Sequence, residues 1–252
     1  MQGKAPLLLA AFLTWLAGFV DAAGYISLGH IYTANMSGNS VAIGIHSVSG
    51  EVAATLRRIW PVVTYFAGLL FCRLLITYGA RRRIRRVATL AVCCEIVLLL
   101  PVCLMTGSAH QVGIELSIAY IGLLALAMGI QNAALTHFST LTVHTGFVTG
   151  TLLKCAEHGA KYLTWLWDEA HQRSVWRAVR NSGSEKSFRL TVWLAAIWCA
   201  YVIGACCGAF GDHSVGLRSL WIPIAGLIAV IAVDLKKPLA GKEEEQQAKG
   251  SG

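Results

Sequence analysis

The chain has 252 residues, of which 56% are hydrophobic and 13% charged, and its mean hydropathy is +0.59. A soluble domain carries about 25% charged residues, so the composition excludes an ordinary water-soluble domain and names the bilayer as the main solvent. The net charge of +8 comes from basic residues at the ends of apolar runs, where they act as topology signals, and no nucleic-acid partner is expected.

The first apolar run, Pro6 to Leu28, is long enough to span. Only Lys4 precedes it and no small-residue cleavage site follows, so it reads as a span and not as a signal peptide. Tyr32–Arg58 is less apolar and opens on small polar residues and glycine. Ile59–Tyr78, Val87–Met105 and Leu116–Leu135 are the next spanning runs. His144–Trp167 repeats the polar opening, and Trp165 and Trp167 suit an interfacial end. Leu190–Phe210 and a shorter run from about Leu220 to Val233 complete about six full spans. Residues 236–252, with a Lys-Glu-Glu-Glu-Gln-Gln run, are polar and aperiodic and read as a disordered cytoplasmic tail.

The chain is similar to itself. Gly18-Phe19-Val20-Asp21-Ala22-Ala23 aligns with Gly129-Ile130-Gln131-Asn132-Ala133-Ala134, and Met36-Ser37-Gly38-Asn39-Ser40 with Val148-Thr149-Gly150-Thr151-Leu152. Tyr65-Phe66-Ala67-Gly68 aligns with Tyr201-Val202-Ile203-Gly204, across an insertion at roughly Asp168 to Ser187. Three matches in one order indicate duplication. Each half reads as a span, a polar-start segment and two further spans.

Charge decides whether the polar-start segments cross. Arg81, Arg82, Arg83, Arg85 and Arg86 place the loop after Ile59–Tyr78 inside, and Thr106–Gln111, without Lys or Arg, falls outside. Re-entrant segments put Lys4, Arg173, Arg177, Arg180, Lys186, Arg189, Lys236 and Lys237 inside as well, leaving only Arg57, Arg58 and Arg218 outside. The expected fold is therefore all-α integral membrane, with two three-helix inverted repeats, each carrying a re-entrant or broken half-helix. Residues 1–110 form the first repeat and 111–235 the second, and both termini are cytoplasmic. Inverted repeats with discontinuous helices are a transporter architecture with the binding site near mid-membrane.

Asp21 lies deep in the first run, where a carboxylate must face protein, water or a partner. It serves either in a structural role, capping the amides of the broken segment or bonding across the bundle, or as a site for an ion, proton or substrate. Asn132 is its uncharged counterpart. Ser37, Gly38 and Asn39, with Thr149, Gly150 and Thr151, resemble half-helix starts, whose open amides suit an anionic group. Glu95 is a second ionisable group within a span, and Arg73 is close enough to a span end to snorkel. The eight cysteines lack metal-ligand spacing and read as packing residues. The scattered histidines form no metal motif, and neither a metal nor another cofactor is implied. Gly204-Ala205-Cys206-Cys207-Gly208 is a small-residue pattern for close packing between the halves or in a dimer.

At these motifs the chain resembles the YoaK family of bacterial inner-membrane proteins, defined as a domain of unknown function. The resemblance rests on Gly18-Phe19-Val20-Asp21-Ala22, Asn35-Met36-Ser37-Gly38-Asn39, Gly129-Ile130-Gln131-Asn132-Ala133 and Val148-Thr149-Gly150-Thr151-Leu152, and covers about residues 10 to 235. That family typically has Thr-Gly-Asn where this chain has Ser37-Gly38-Asn39. The resemblance implies a multi-pass membrane protein and no particular activity. The expected function is a small inner-membrane transporter or channel-like permease for a small molecule or ion, with Asp21, Asn132 and both polar starts lining its site. A membrane-embedded enzyme and a non-transporting scaffold or partner subunit are the alternatives. No nucleophile elbow or phosphate loop supports catalysis, and the oligomeric state is open.

Overall fold

The computed structural model describes residues 4–82, 84, 86–105, 114–138, 148–172 and 175–236. Arg83, Arg85, the Thr106–Gln111 loop, His110, His144, Arg173 and the tail from Lys237 lie outside the described residues, so the expectations placed on them are not addressed by it.

Every regular element among the described residues is helical. The α-helices are α1 (Lys4–Ser27), α2 (Met36–Val48), α3 (Val52–Arg81), α4 (Val87–Met105), α5 (Ile114–Phe138), α6 (Val148–Gln172), α7 (Val175–Asn181), α8 (Lys186–Val215) and α9 (Trp221–Lys236). Short 3-10 turns occupy Ser182–Ser184 and Gly216–Leu220. Four stretches are long and apolar enough to cross a membrane: Leu7–Ser27, Val52–Arg81, Glu115–Thr136 and Lys186–Lys236, the last joining α8 and α9; Thr89–Leu104 in α4 is apolar but shorter. The distribution of polarity agrees with a bilayer. Phe66, Val97 and Phe210 are 64%, 66% and 76% exposed, whereas Asp21, Asn39, Glu95 and Asn132 are all buried. The outer surface is apolar and the polar groups are inside.

One boundary differs from the sequence reading. The first polar-start segment does not run on to Arg58: α2 ends at Val48 and α3 begins at Val52. The cause is a tight turn in which Gly50 takes φ +73, and Glu51 both donates its amide to the His46 carbonyl and pairs its carboxylate with the His46 ring at 2.8 Å. Arg57 and Arg58 are consequently helical. The insertion near Asp168–Ser187 is built from the end of α6, α7 and the Ser182–Ser184 turn.

Two crossings organise the bundle, α1 on α8 and α3 on α5. Gly18 abuts the Tyr201 carbonyl, and Gly204 and Gly208 abut the Trp15 and Phe19 carbonyls. In the other crossing Gly129 abuts the Tyr65 carbonyl and Gly68 the Leu126 carbonyl. These are the residues that self-alignment pairs: Gly18 with Gly129, Tyr65 with Tyr201, Gly68 with Gly204. A side chain at any of them would collide with backbone, so the glycines set the approach that makes dispersion contacts possible where no hydrophobic effect drives association. In both crossings residue numbers rise together, so the helices run parallel. The α1–α5 contact is antiparallel, with Gly24 beside Leu124 and the Gln131 side-chain amide donating to the Leu13 carbonyl at 3.1 Å.

The α2 helix has 13 residues, about 20 Å at 1.5 Å per residue, against a hydrocarbon thickness of about 30 Å. It folds back along the first part of α3, so its start lies beside the middle of that helix. The α6 helix packs on α8, with the Cys155 thiol near the Thr191 carbonyl and Tyr162 against Phe188. Its start is thus also level with the middle of its partner. Its far end continues past the start of α8 and carries Asp168, Glu169 and His171.

Candidate functional site

Asp21 is 3% exposed and fully partnered. Its Oδ1 accepts from the Thr33 amide at 2.7 Å, the Ala34 amide at 2.8 Å and the Thr33 hydroxyl at 3.3 Å. Its Oδ2 accepts from the Tyr201 hydroxyl at 2.7 Å. The carboxylate therefore holds the segment between α1 and α2 down into the bundle and ties it to α8. A buried carboxylate requires donors of this kind. The amides that Asp21 receives are those of Thr33 and Ala34, ahead of α2, and not those at Ser37 or Thr149, and its other oxygen bonds across the bundle to Tyr201.

Asn132 occupies the matching place in the second half. Its Nδ2 donates to the Tyr65 hydroxyl at 2.6 Å. Each half thus puts a short polar side chain on its first helix against a tyrosine on the third helix of the other half. The tyrosines stood aligned in the sequence, and that alignment was the available signal for assigning them to the site; the sequence reading did not use it.

The first polar start is divided in its roles. Ser37 is exposed, and its hydroxyl bonds to the Asn35 side chain at 2.7 Å. Gly38 lets the Tyr32 ring lie against the helix. Asn39 is 0% exposed; it donates to the Tyr32 carbonyl at 2.7 Å and accepts from the Tyr32 amide at 3.2 Å. No side chain caps α2 at Asn35. Asn39 acts as an internal clasp on the loop between α1 and α2. Arg58 completes the clasp by donating to the His30 carbonyl at 2.6 Å, beside Gly29 and His30, which both take left-handed φ values of +79 and +59.

The second polar start repeats the exposure pattern. Thr149 is exposed, Gly150 half-buried, and Thr151, aligned with Asn39, buried. The two starts are not brought together in one site. Among the described residues α2 packs on α3 and α6 on α8.

Beyond the clasp lies an open vestibule of about 850 Å³, bounded by Ser27 at the end of α1, by His46 and Glu51, by Arg57 and Arg58, and by Ser117 at the start of α5. Its size falls in the range of small-molecule pockets. Arg57 and Arg58 line it together with Glu51, which is paired with His46. Near its rim the Ser27 hydroxyl donates to Asp212 at 2.6 Å. Asp212 escaped the sequence reading because the apolar run was closed at Phe210.

The family described as "Protein of unknown function (DUF1275)" matches residues 9–233. The chain is 26% identical over 237 residues to the UPF0700 transmembrane protein YoaK of Bacillus subtilis (strain 168), covering 93% of this chain and 96% of that one. No solved structure matches.

Proposed function

The chain belongs to the DUF1275 family of transmembrane proteins of unknown function, and from that premise we propose that it is a small inner-membrane transporter built from two inverted repeats. The aligned first helices, α1 and α5, are antiparallel where they meet, while each runs parallel to the third helix of the other half; both facts support an inversion of the second half relative to the first. The half-length α2 and the mid-helix start of α6 support discontinuous elements reaching mid-membrane from opposite sides. The basic residues then lie mainly on the side of both termini, which is the cytoplasmic side.

One observation carries the reading: the buried Asp21–Tyr201 and Asn132–Tyr65 pairs, related by the duplication, the first of which also holds the loop ahead of α2. Buried polar side chains within spans mark substrate or ion pathways by default. In this conformation Asp21 and Asn39 latch the re-entrant loop, and the basic vestibule beyond it receives a small organic anion. Rearrangement of the Tyr201 bond would free the loop and expose the α2 start, with Ser37, Gly38 and Asn39, to that ligand. In the opposite conformation Asn132 with Thr149, Gly150 and Thr151 would play the corresponding part. No catalytic role is assigned to any residue.

A scaffold role has one observation in its favour, since every donor on Asp21 is the protein's own. The test is electrical. Purified protein in liposomes on a sensor surface is challenged with jumps of small organic anions and of alkali ions. A saturable current that vanishes after an impermeant thiol reagent caps a Ser117→Cys vestibule variant supports transport. Currents equal to those of empty liposomes across the panel, from intact reconstituted protein, support the scaffold.

A further inference from the structure

A second buried polar group lies on the other side of the Asp21 level, where α1, α4, α5 and α9 meet. Glu95 is 1% exposed, about 12 Å along α4 from Val87. Among the described residues it has no hydrogen-bond partner on Oε1 and no ion pair. Gln131 on α5, 2% exposed, spends its amide nitrogen on the Leu13 carbonyl and leaves Oε1 equally without a partner. Both residues line one cavity of about 30 Å³. Asp234 on α9 and Thr89 on α4 share the lining and are hydrogen-bonded to each other. The remaining walls are apolar, among them Leu13 and Val92.

Two unpartnered oxygens are a costly arrangement in an apolar interior. The lining offers acceptor oxygens from a carboxylate, a carboxamide, a second carboxylate and a hydroxyl, and no described cationic side chain. The volume holds one or two water-sized species and excludes an organic substrate. Oxygen donors around a single-ion space make a site for a hard cation.

We propose that Glu95 and the Gln131 carbonyl oxygen bind a small monovalent cation, a proton or an alkali ion, in the cavity closed by Asp234 and Thr89. This goes beyond the transport reading: the site is distinct from the Asp21 latch and vestibule, and its occupancy is measured without any flux. Its charged neighbours are few. On α9 Asp234 lines the cavity and Lys236, outside the lining, ends the helix; Cys72 on α3 and Cys94 on α4 carry nearby thiols, and the Arg73 guanidinium donates to the Thr136 hydroxyl at 2.6 Å. The described residues of α1 and α5 add no titratable group to the lining.

The test uses the full chain in detergent and a hydrophobic carbodiimide, which modifies carboxyl groups in their protonated form, with the modified residue identified by peptide mass mapping. Modification of Glu95 that is suppressed by sodium or lithium chloride but not by N-methylglucamine chloride assigns an alkali ion. Modification that increases on acidification and ignores alkali ions assigns the proton. Absence of Glu95 modification in the folded protein, or modification indifferent to both pH and alkali ions, overturns the proposal. Because the readout is on the wild-type chain, it does not depend on a variant folding. Gln131→Met then tests the second ligand: its loss should weaken whichever protection or pH response the wild type displays, and an unaltered response removes Gln131 from the site.

Discussion

The Tyr201 hydroxyl donates to Asp21 at 2.7 Å, and this bond crosses from the last third of the chain to its first helix. Asp21 also receives the Thr33 and Ala34 amides, so one carboxylate fixes both a loop and an interhelical contact. Replacement by alanine should leave two amides and the Thr33 and Tyr201 hydroxyls without that acceptor, at about 1–3 kcal/mol for each group left buried and unpaired. Asp21→Asn keeps one acceptor for the amides and can meet the tyrosine as Asn132 meets Tyr65. Thermal unfolding in detergent should place Asp21→Asn close to wild type and Asp21→Ala well below. Equal damage from both would mean that the charge itself, and not the acceptor geometry, holds the loop.

Tyr201→Phe removes one donor and little volume. The expected loss is about 1.5–3 kcal/mol if the partner is ionised and about 1 kcal/mol if it is not. Tyr65→Phe, whose partner Asn132 is neutral, supplies the reference within the same molecule. A double-mutant cycle with Asp21→Asn should return a coupling energy for Tyr201, and additive effects would deny the bond an energetic role.

The glycine crossings predict a graded series. Gly204→Ala and Gly68→Ala place a methyl group on a backbone carbonyl of the partner helix, and overpacking of this kind costs about 1–3 kcal/mol. Gly44→Ala meets nothing within 4 Å and should be neutral or slightly stabilising, because alanine is the better helix former by about 1 kcal/mol. Melting temperatures of the three proteins test the order. If Gly204→Ala matched Gly44→Ala, the close approach of α1 and α8 would be wrong.

Orientation is open to labelling on a cysteine-free background. A cysteine at Val175 in α7 should resist an impermeant thiol reagent added to intact cells and react once the membrane is opened, whereas one at Gly50 should react from outside. External reaction at Val175 would sink the inverted topology. The background itself is a prediction. Cys93, Cys199, Cys206 and Cys207 are exposed and Cys72 and Cys103 buried, so replacement by alanine should cost about 1 kcal/mol at the two buried sites and little elsewhere.

The long apolar helices were readable because a bilayer imposes long apolar runs, and Pro6–Leu28 and Ile59–Tyr78 fall on stretches long and apolar enough to cross. Asp21 and Asn132 were readable for the opposite reason, as polar residues in those runs. Other features depended on partners distant in sequence. Nothing local says that Thr33 and Ala34, and not the amides at Ser37, turn toward Asp21, or that Asn39 clasps Tyr32. The α2–α3 break at Gly50 was hidden because apolar residues continue on both sides of it. Asp234 was missed like Asp212: each lies at the edge of an apolar run, and burial there comes from neighbouring helices, which composition does not reveal.

The exchange of partners in the two main crossings bears on how the chain is made. When residues 1–110 have left the ribosome, α1 and α3 are in the membrane but neither has met its principal neighbour, since α8 and α5 are still to be synthesised. The nascent first half therefore exposes Gly18 and Gly68 to lipid, and its α1–α2 loop lacks the tyrosine that holds it. Two fragments divided between α4 and α5 should each be degraded when expressed alone and persist when co-expressed, because each supplies the surface the other was waiting for.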